Sequence, residues 1–130
     1  MFYTYFLRGQ WPVVQRVQEY LHTYERLNLS IVTYYEILSG LRHKDAARQL
    51  DRFLELVGHN IMLPLTTASC DLSATLYARL RRQGETVDDI DLLIAGIALE
   101  HGLAVATHNL GHFRRIPGLV VQDWTLDNDQ

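Results

Sequence analysis

A parallel α/β sheet flanked by helices on both faces is the architecture this sequence predicts, and three observations predict it. Short runs rich in β-branched and aliphatic residues, "LSIVT", "IMLPL" and "LAVAT", recur along the chain. Between them lie stretches with apolar residues at helical spacing, and strands alternating with helices build a parallel sheet. No repeat, low-complexity tract or linker breaks the pattern over 130 residues, so one domain over residues 1–130 is expected.

Taken in order, Pro12 follows the turn "RGQW" and suits a first helical position. Val13, Val17, Tyr20, Leu21, Tyr24 and Leu27 then recur at helical spacing. Residues 29–33 form the first strand candidate. Thr33 and Glu36 have capping-box spacing, which predicts a helix from there to Gly40. Ala46, Ala47, Leu50, Phe53, Leu54 and Val57 mark the next helix, closed by Gly58. Residues 61–65 read as a strand whose proline confines it to a sheet edge or a strand end. Thr66 or Thr67 caps a helix carrying Leu72, Leu76 and Leu80, which stops before Gly84. Asp88 caps the following helix, which runs through Glu100 to a stop at Gly102. Residues 103–107 are a buried-type strand and residues 119–121 a short last one.

Composition narrows the function classes. With 12 basic and 15 acidic residues the net charge is −3, without the overall basic footprint of a nucleic-acid binder. The basic residues are grouped, as Arg42, Lys44 and Arg48, as Arg79, Arg81 and Arg82, and as Arg114 and Arg115. Such groups read first as solvated helix faces. No apolar run approaches the ~20 residues of a membrane span, and "MFYTYFLRGQ" lacks the basic start and cleavage site of a signal peptide. The single cysteine, Cys70, leaves no intrachain disulfide and no Cys-based zinc site. A cytoplasmic protein with no membrane partner is the expectation.

Ligands of parallel α/β sheets gather outside the carboxyl ends of the strands. That rule points at residues 33–36, at residues 107–109, and at the first turn of the helix beginning at Asp88. Glu36 alone reads as a capping-box partner of Thr33. Asp88 and Asp91 match the same box with Asp in place of Glu, and the helix dipole favours acids there. Asp91 is followed at once by "LLIAGIAL", so its carboxylate lies on or beside a buried face. A charge in that position needs a cation or a donor. Hard divalent cations such as Mg²⁺ or Mn²⁺ answer a group of carboxylates, and they activate water beside a phosphoryl group. The rival is a zinc site on His108 and His112, four residues apart, but no third ligand stands at a recognisable spacing and Gly111 weakens a helix between them. There is no "GxSxG" and no Gly-rich phosphate loop.

The segments "LSIVTYYEILSGL" and "GETVDDIDLLIAGIALEHGLAVATHNLGHFRRIPGLVVQDW" resemble the PIN-domain ribonucleases, specifically the VapC toxins of bacterial toxin–antitoxin pairs. The second segment carries the specific features: an acid before "LLIAGIAL", a strand ending in Thr, a polar residue two later, then "HF", "IPGL" and a terminal Trp. The resemblance implies an Mg²⁺- or Mn²⁺-dependent endoribonuclease that cuts single-stranded regions of RNA, forms a homodimer and is silenced by a VapB-type antitoxin. It implies Glu36 and Asp91 as catalytic metal-binding acids, with Asp89 or Asp88 assisting. Asn109 falls where relatives carry Asp or Asn as a further metal ligand, and Thr107 on the polar residue at the strand end; both would face the substrate.

The sequence also departs from the family pattern. Relatives open with an apolar strand ending in an Asp-Thr-Asp or Asp-Thr-Asn segment, followed by something like "YFLRG". Here "TYFLRG" spans residues 4–9 with only "MFY" before it. The first central strand and the first catalytic Asp are thus missing from the chain as given. Loss of that strand would leave two facing strand edges without their common partner. Two expectations follow. Either the true start lies upstream and the full enzyme is active, or this is a truncated, catalytically impaired relative that only binds an antitoxin or other partner.

Overall fold

The computed structural model describes residues 27–106 and 110–122. The helix expected over residues 12–27 and the residues Thr107, His108 and Asn109 lie outside the described residues, Leu27 excepted. The elements run β1 (Asn28–Ser30), α1 (Ile31–His43), α2 (Ala47–Gly58), β2 (Ile61–Leu63), α3 (Thr67–Arg82), α4 (Asp89–Glu100), β3 (Val105–Ala106), α5 (Leu110–Phe113) and β4 (Val121–Gln122).

The strands pair in parallel, as strand–helix alternation requires. β1 lies beside β2 with Leu29 opposite Met62, and β3 lies beside β4 with Val105 opposite Val121. Among the described residues these are two separate two-stranded sheets, with no strand joining β1 to β3. Asn60 sets the register of the first pair. Its Oδ1 accepts the Leu27 N–H at 2.7 Å, its Nδ2 donates to the Leu56 carbonyl at 2.6 Å, and the Ile61 N–H donates to the Leu27 carbonyl at 2.9 Å. β2 ends at Leu63 because Pro64 has no N–H for a ladder.

The first strand is shorter than its residue types predict. "LSIVT" divides at Ser30: residues 28–30 are extended, and the β-branched Ile31, Val32 and Thr33 open α1. Ser30 is the helix cap. Its backbone is extended (φ −73°, ψ 147°), and its Oγ accepts the Thr33 N–H at 2.9 Å while donating to Thr33 Oγ1 at 2.9 Å. Thr33 is therefore not the cap expected, and α1 continues past Gly40 to His43. Local β propensity is overruled by the cap hydrogen bond and by burial of Val32 on a helical face.

Two apolar clusters carry the packing. Leu27, Leu29, Ile37, Leu41 and Phe53 form one, with Tyr34 stacked on Phe53 at 5.8 Å between ring centroids. The other gathers Val32, Leu76, Leu80, Phe113 and Ile116 around Leu92, Ile94, Ala95, Ile97 and Ala98 of α4. α1 thus presents one face to each cluster, and Val32 turns toward α4.

α3 and α4 pack closely along small residues. A Cβ at Gly96 would overlap Ser73 Oγ and lie 2.5 Å from the Ser69 carbonyl oxygen. Ser73 Oγ bridges the two helices, donating toward the Ser69 carbonyl at 3.0 Å and the Leu92 carbonyl at 2.8 Å. Thr66 caps α3 in a reciprocal box with Ser69, and its Oγ1 donates to Glu100 Oε1 at 2.8 Å. The start of α3 is thereby fastened to the end of α4. That fastening fixes where the opposite end of α4, with its acids, is held.

Candidate functional site

The site is built from two helix starts. α1 leaves the carboxyl end of β1 at Ser30, and Glu36 lies one turn beyond Val32 on the same stripe of the helix. Val32 is buried in the cluster that surrounds α4, so Glu36 is directed to the α4 side. Because Ser30 rather than Thr33 is the cap, Glu36 lies in the second turn. The capping-box role that its spacing predicted is not available to it. Glu36 Oε1 is buried and has no hydrogen-bond partner among the described residues.

α4 supplies the remaining acids. Asp88 is its cap, with Oδ1 accepting the Ile90 N–H at 2.9 Å. Asp91 is half-buried, while Asp88 and Asp89 are exposed. Residues three apart share a helix face, whereas residues two apart do not. Asp88 and Asp91 therefore look the same way, and Asp89 looks elsewhere.

The electrostatics agree with that placement. Burial first, then the negative charges of Asp91 and Asp88, push the Glu36 carboxyl above its ordinary value. Asp89 is not among the charges that act on it. The structure thus brings Glu36, Asp91 and Asp88 into one electrostatic neighbourhood. Asn109 and Thr107, the other two residues predicted for the site, lie outside the described residues.

A buried carboxylate oxygen without a donor, crowded by two further carboxylates, is a position that a cation relieves. The donor set is all oxygen, which suits a hard divalent ion rather than zinc. Glu36 and Asp91 fit such an ion as a partial set. Among the described residues no group of three or more His, Cys, Asp or Glu side chains is arranged to enclose a metal alone.

Two features of the site are not visible in the local pattern. Residue types place Ser30 in a strand interior, although Ser is itself among the residues that cap helices best. Arg115, one of a basic pair, has the pattern of a solvated charge. In the structure its Nη1 donates to the Thr86 carbonyl at 3.1 Å, and it lines a cleft of about 240 Å³ together with Thr86, Val87 and Asp88.

Comparison with known proteins identifies the family. Residues 12–119 match the PIN domain family. The chain is 32% identical to "Ribonuclease VapC1" of Haemophilus influenzae (strain R2866) over 114 residues, 87% of this chain and 84% of that protein. It is 32% identical to "tRNA(fMet)-specific endonuclease VapC" of Salmonella typhimurium over 111 residues, 79% of this chain and 84% of that one. Among solved structures, DNA-bound VapBC from Salmonella typhimurium superposes with a TM-score of 0.74 at 30% identity, covering 82% of each chain. VapBC2 from Rickettsia felis superposes with a TM-score of 0.83 over 95% of this chain and 93% of that one; at 20% identity it bears on the fold alone. The chain belongs to the PIN-domain family, among the relatives of the VapC ribonucleases.

Proposed function

We propose that this chain is a metal-dependent endoribonuclease toxin of a toxin–antitoxin pair, hydrolysing RNA phosphodiesters with a water activated by Mg²⁺ or Mn²⁺. The observation that carries the reading is Glu36: a carboxylate oxygen buried without a donor among the described residues, and raised in pKa by the charges of Asp91 and Asp88. Relatives named as ribonucleases and a tRNA-specific endonuclease supply the substrate class.

In this reading Glu36 and Asp91 hold the metal, with Asn109 as a further ligand and Asp89 as an outer helper. When bound, the ion supplies Lewis acidity at the phosphoryl oxygen and a lowered pKa for a water. The chain's own contribution is position. Ser30 fixes the start of α1 and so the height of Glu36, and the α3–α4 fastening fixes Asp91 opposite it. Both groups hold the ion in their ionised forms, and the burial and neighbouring negative charges that raise the Glu36 pKa are the crowding that a cation relieves. Thr107 and Asn109, following β3, would meet the RNA.

The whole 130-residue chain acts as a single domain in this proposal, as a homodimer, and in complex with a VapB-type antitoxin. Solved relatives from Salmonella typhimurium and nontypeable Haemophilus influenzae are VapBC complexes. A second reading is that the chain only binds its antitoxin. It draws on the lack, among the described residues, of three clustered ligating side chains. The deciding experiment is cleavage of a structured RNA by the purified chain with Mg²⁺ or Mn²⁺, beside Asp91→Asn. Metal-dependent cleavage that disappears in Asp91→Asn supports the enzyme. A folded chain that cleaves nothing yet captures a VapB-type antitoxin supports the binder.

A further inference from the structure

Arg115 stands on a turn that the core holds rigid. Phe113 before it and Ile116 after it are both buried in the cluster around α4. The Ile116 N–H donates to the Phe113 carbonyl at 3.1 Å, closing the turn. Arg115 itself is exposed and reaches across to the segment that leads into α4, where Nη1 donates to the Thr86 carbonyl. A guanidinium has five N–H donors, and this contact uses one. Among the described residues no carboxylate pairs with it, although Asp88 lines the same cleft.

The cleft is therefore lined both by a cation and by an acid whose charge reaches Glu36. That arrangement answers a difficulty of the nuclease reading. Glu36, Asp88, Asp89 and Asp91 present a concentration of negative charge to a substrate that is itself a polyanion. A metal offsets the charge at the scissile phosphate only. A neighbouring phosphate needs a donor of its own, and a planar guanidinium with free N–H groups suits phosphate better than an ammonium does.

Resting on the nuclease reading, we infer that Arg115 binds a non-scissile phosphate of the RNA strand in the cleft it shares with Asp88, and so sets the position of the strand over the acids. It is a substrate-binding residue, and the Thr86 contact holds the guanidinium in place for that task.

The test is steady-state cleavage of a defined single-stranded RNA over a range of salt concentrations, for the wild type, Arg115→Gln and Arg115→Lys. Gln keeps an N–H to donate to Thr86 and loses the charge; Lys keeps the charge and loses the planar fork. For Arg115→Gln, KM should rise about tenfold with kcat within about twofold, as expected for loss of one charged hydrogen bond to ground and transition state alike. Its log–log salt slope should fall by about 0.7, the share of one phosphate contact on a single strand. Arg115→Lys should restore the slope and only part of the KM, and thermal midpoints of both variants should match the wild type. An unchanged salt slope in Arg115→Gln, or a KM change that tracks a lowered melting temperature, would overturn the inference and leave Arg115 a structural tether. If the folded wild type cleaves no RNA with Mg²⁺ or Mn²⁺, the nuclease reading fails and takes this inference with it. Metal-dependent cleavage with an unaltered Arg115→Gln would overturn this inference alone.

Discussion

Replacing Glu36 by Gln should make the metal-free protein more stable while destroying its metal response. The wild-type carboxylate has a buried oxygen without a donor among the described residues and feels the charges of two acids. An unsatisfied buried polar group costs about 1–3 kcal/mol. Gln removes the charge, keeps the shape, and brings an N–H₂ that can donate to Asp91. In EDTA at pH 7.5 the variant should therefore be more stable by about 1–2 kcal/mol, the lower part of that range, since Glu36 is only half-buried. For a domain of this size that is roughly 4–8 °C in melting temperature.

The pH dependence gives the sharper signature. The folded carboxyl has a raised pKa, so between its unfolded value and its folded value the native state binds more protons than the unfolded state. Wild-type stability must then fall as pH rises through that window. Below about pH 4, where both states carry the proton, the advantage of Gln should vanish; it should grow with pH and level off above the folded value. Saturating Mn²⁺ or Mg²⁺ should reverse the order by stabilising the wild type, by about 2.7 kcal/mol at a hundredfold excess over Kd, and not the variant. Melting curves at several pH values, with EDTA and with metal, read all of this. A variant that is no more stable than the wild type in EDTA at pH 7.5, or whose advantage is independent of pH, refutes the argument.

Three further outcomes are expected. Gly96→Ala should lower stability by about 1–2 kcal/mol, because overpacking against Ser73 and the Ser69 carbonyl outweighs the ~1 kcal/mol gained in helix propensity; chemical denaturation measures it, and Ser73→Ala in that background should recover only part, since the Ser69 contact is backbone. Ser30→Ala should cost about 1 kcal/mol through loss of the α1 cap, and RNA cleavage should fall more than the folded fraction does, because the first turn sets the height of Glu36. Asp88→Asn keeps a good helix cap and removes only a charge, so an NMR titration should find the Glu36 carboxyl moved back toward its ordinary range, whereas Asp89→Asn should leave it where it is.

Much of the fold was legible because punctuation and periodicity agreed. Thr66 and Asp88 cap α3 and α4 as their positions predicted, Gly84 and Gly102 adopt positive φ just past those helices, and both strand pairs are parallel. The strands were less legible, and for a physical reason. Strands of two or three residues have too few positions for any period to show, and β-branched residues serve a buried helix face as well as a strand. Leu29, Val32 and Val105 are all buried, but one of the three belongs to a helix. Among the described residues the strands form two separate parallel pairs, each of which satisfies its own apolar pattern.

The site turned on the same three-residue displacement. With Thr33 as the cap, Glu36 would have been a helix-start acid paired with backbone, and its charge would have needed no further account. With Ser30 as the cap, Glu36 moves into the second turn, away from any free N–H and onto the stripe that faces α4. Both readings use residue types that cap helices well, so local preference could not choose between them. What chooses is packing. Starting the helix at Ile31 places Val32 against α4 and Ile37 and Leu41 against the other cluster, and each of those burials is worth about 1.5–3 kcal/mol, more than the difference between a Ser and a Thr cap. The core thus decides the register of α1, and the register leaves a carboxylate stranded beside Asp91. A residue that the local pattern would have spent on a cap is in this way released for chemistry, and the same logic makes Ser30, which touches no substrate, a residue on which the acid pair depends.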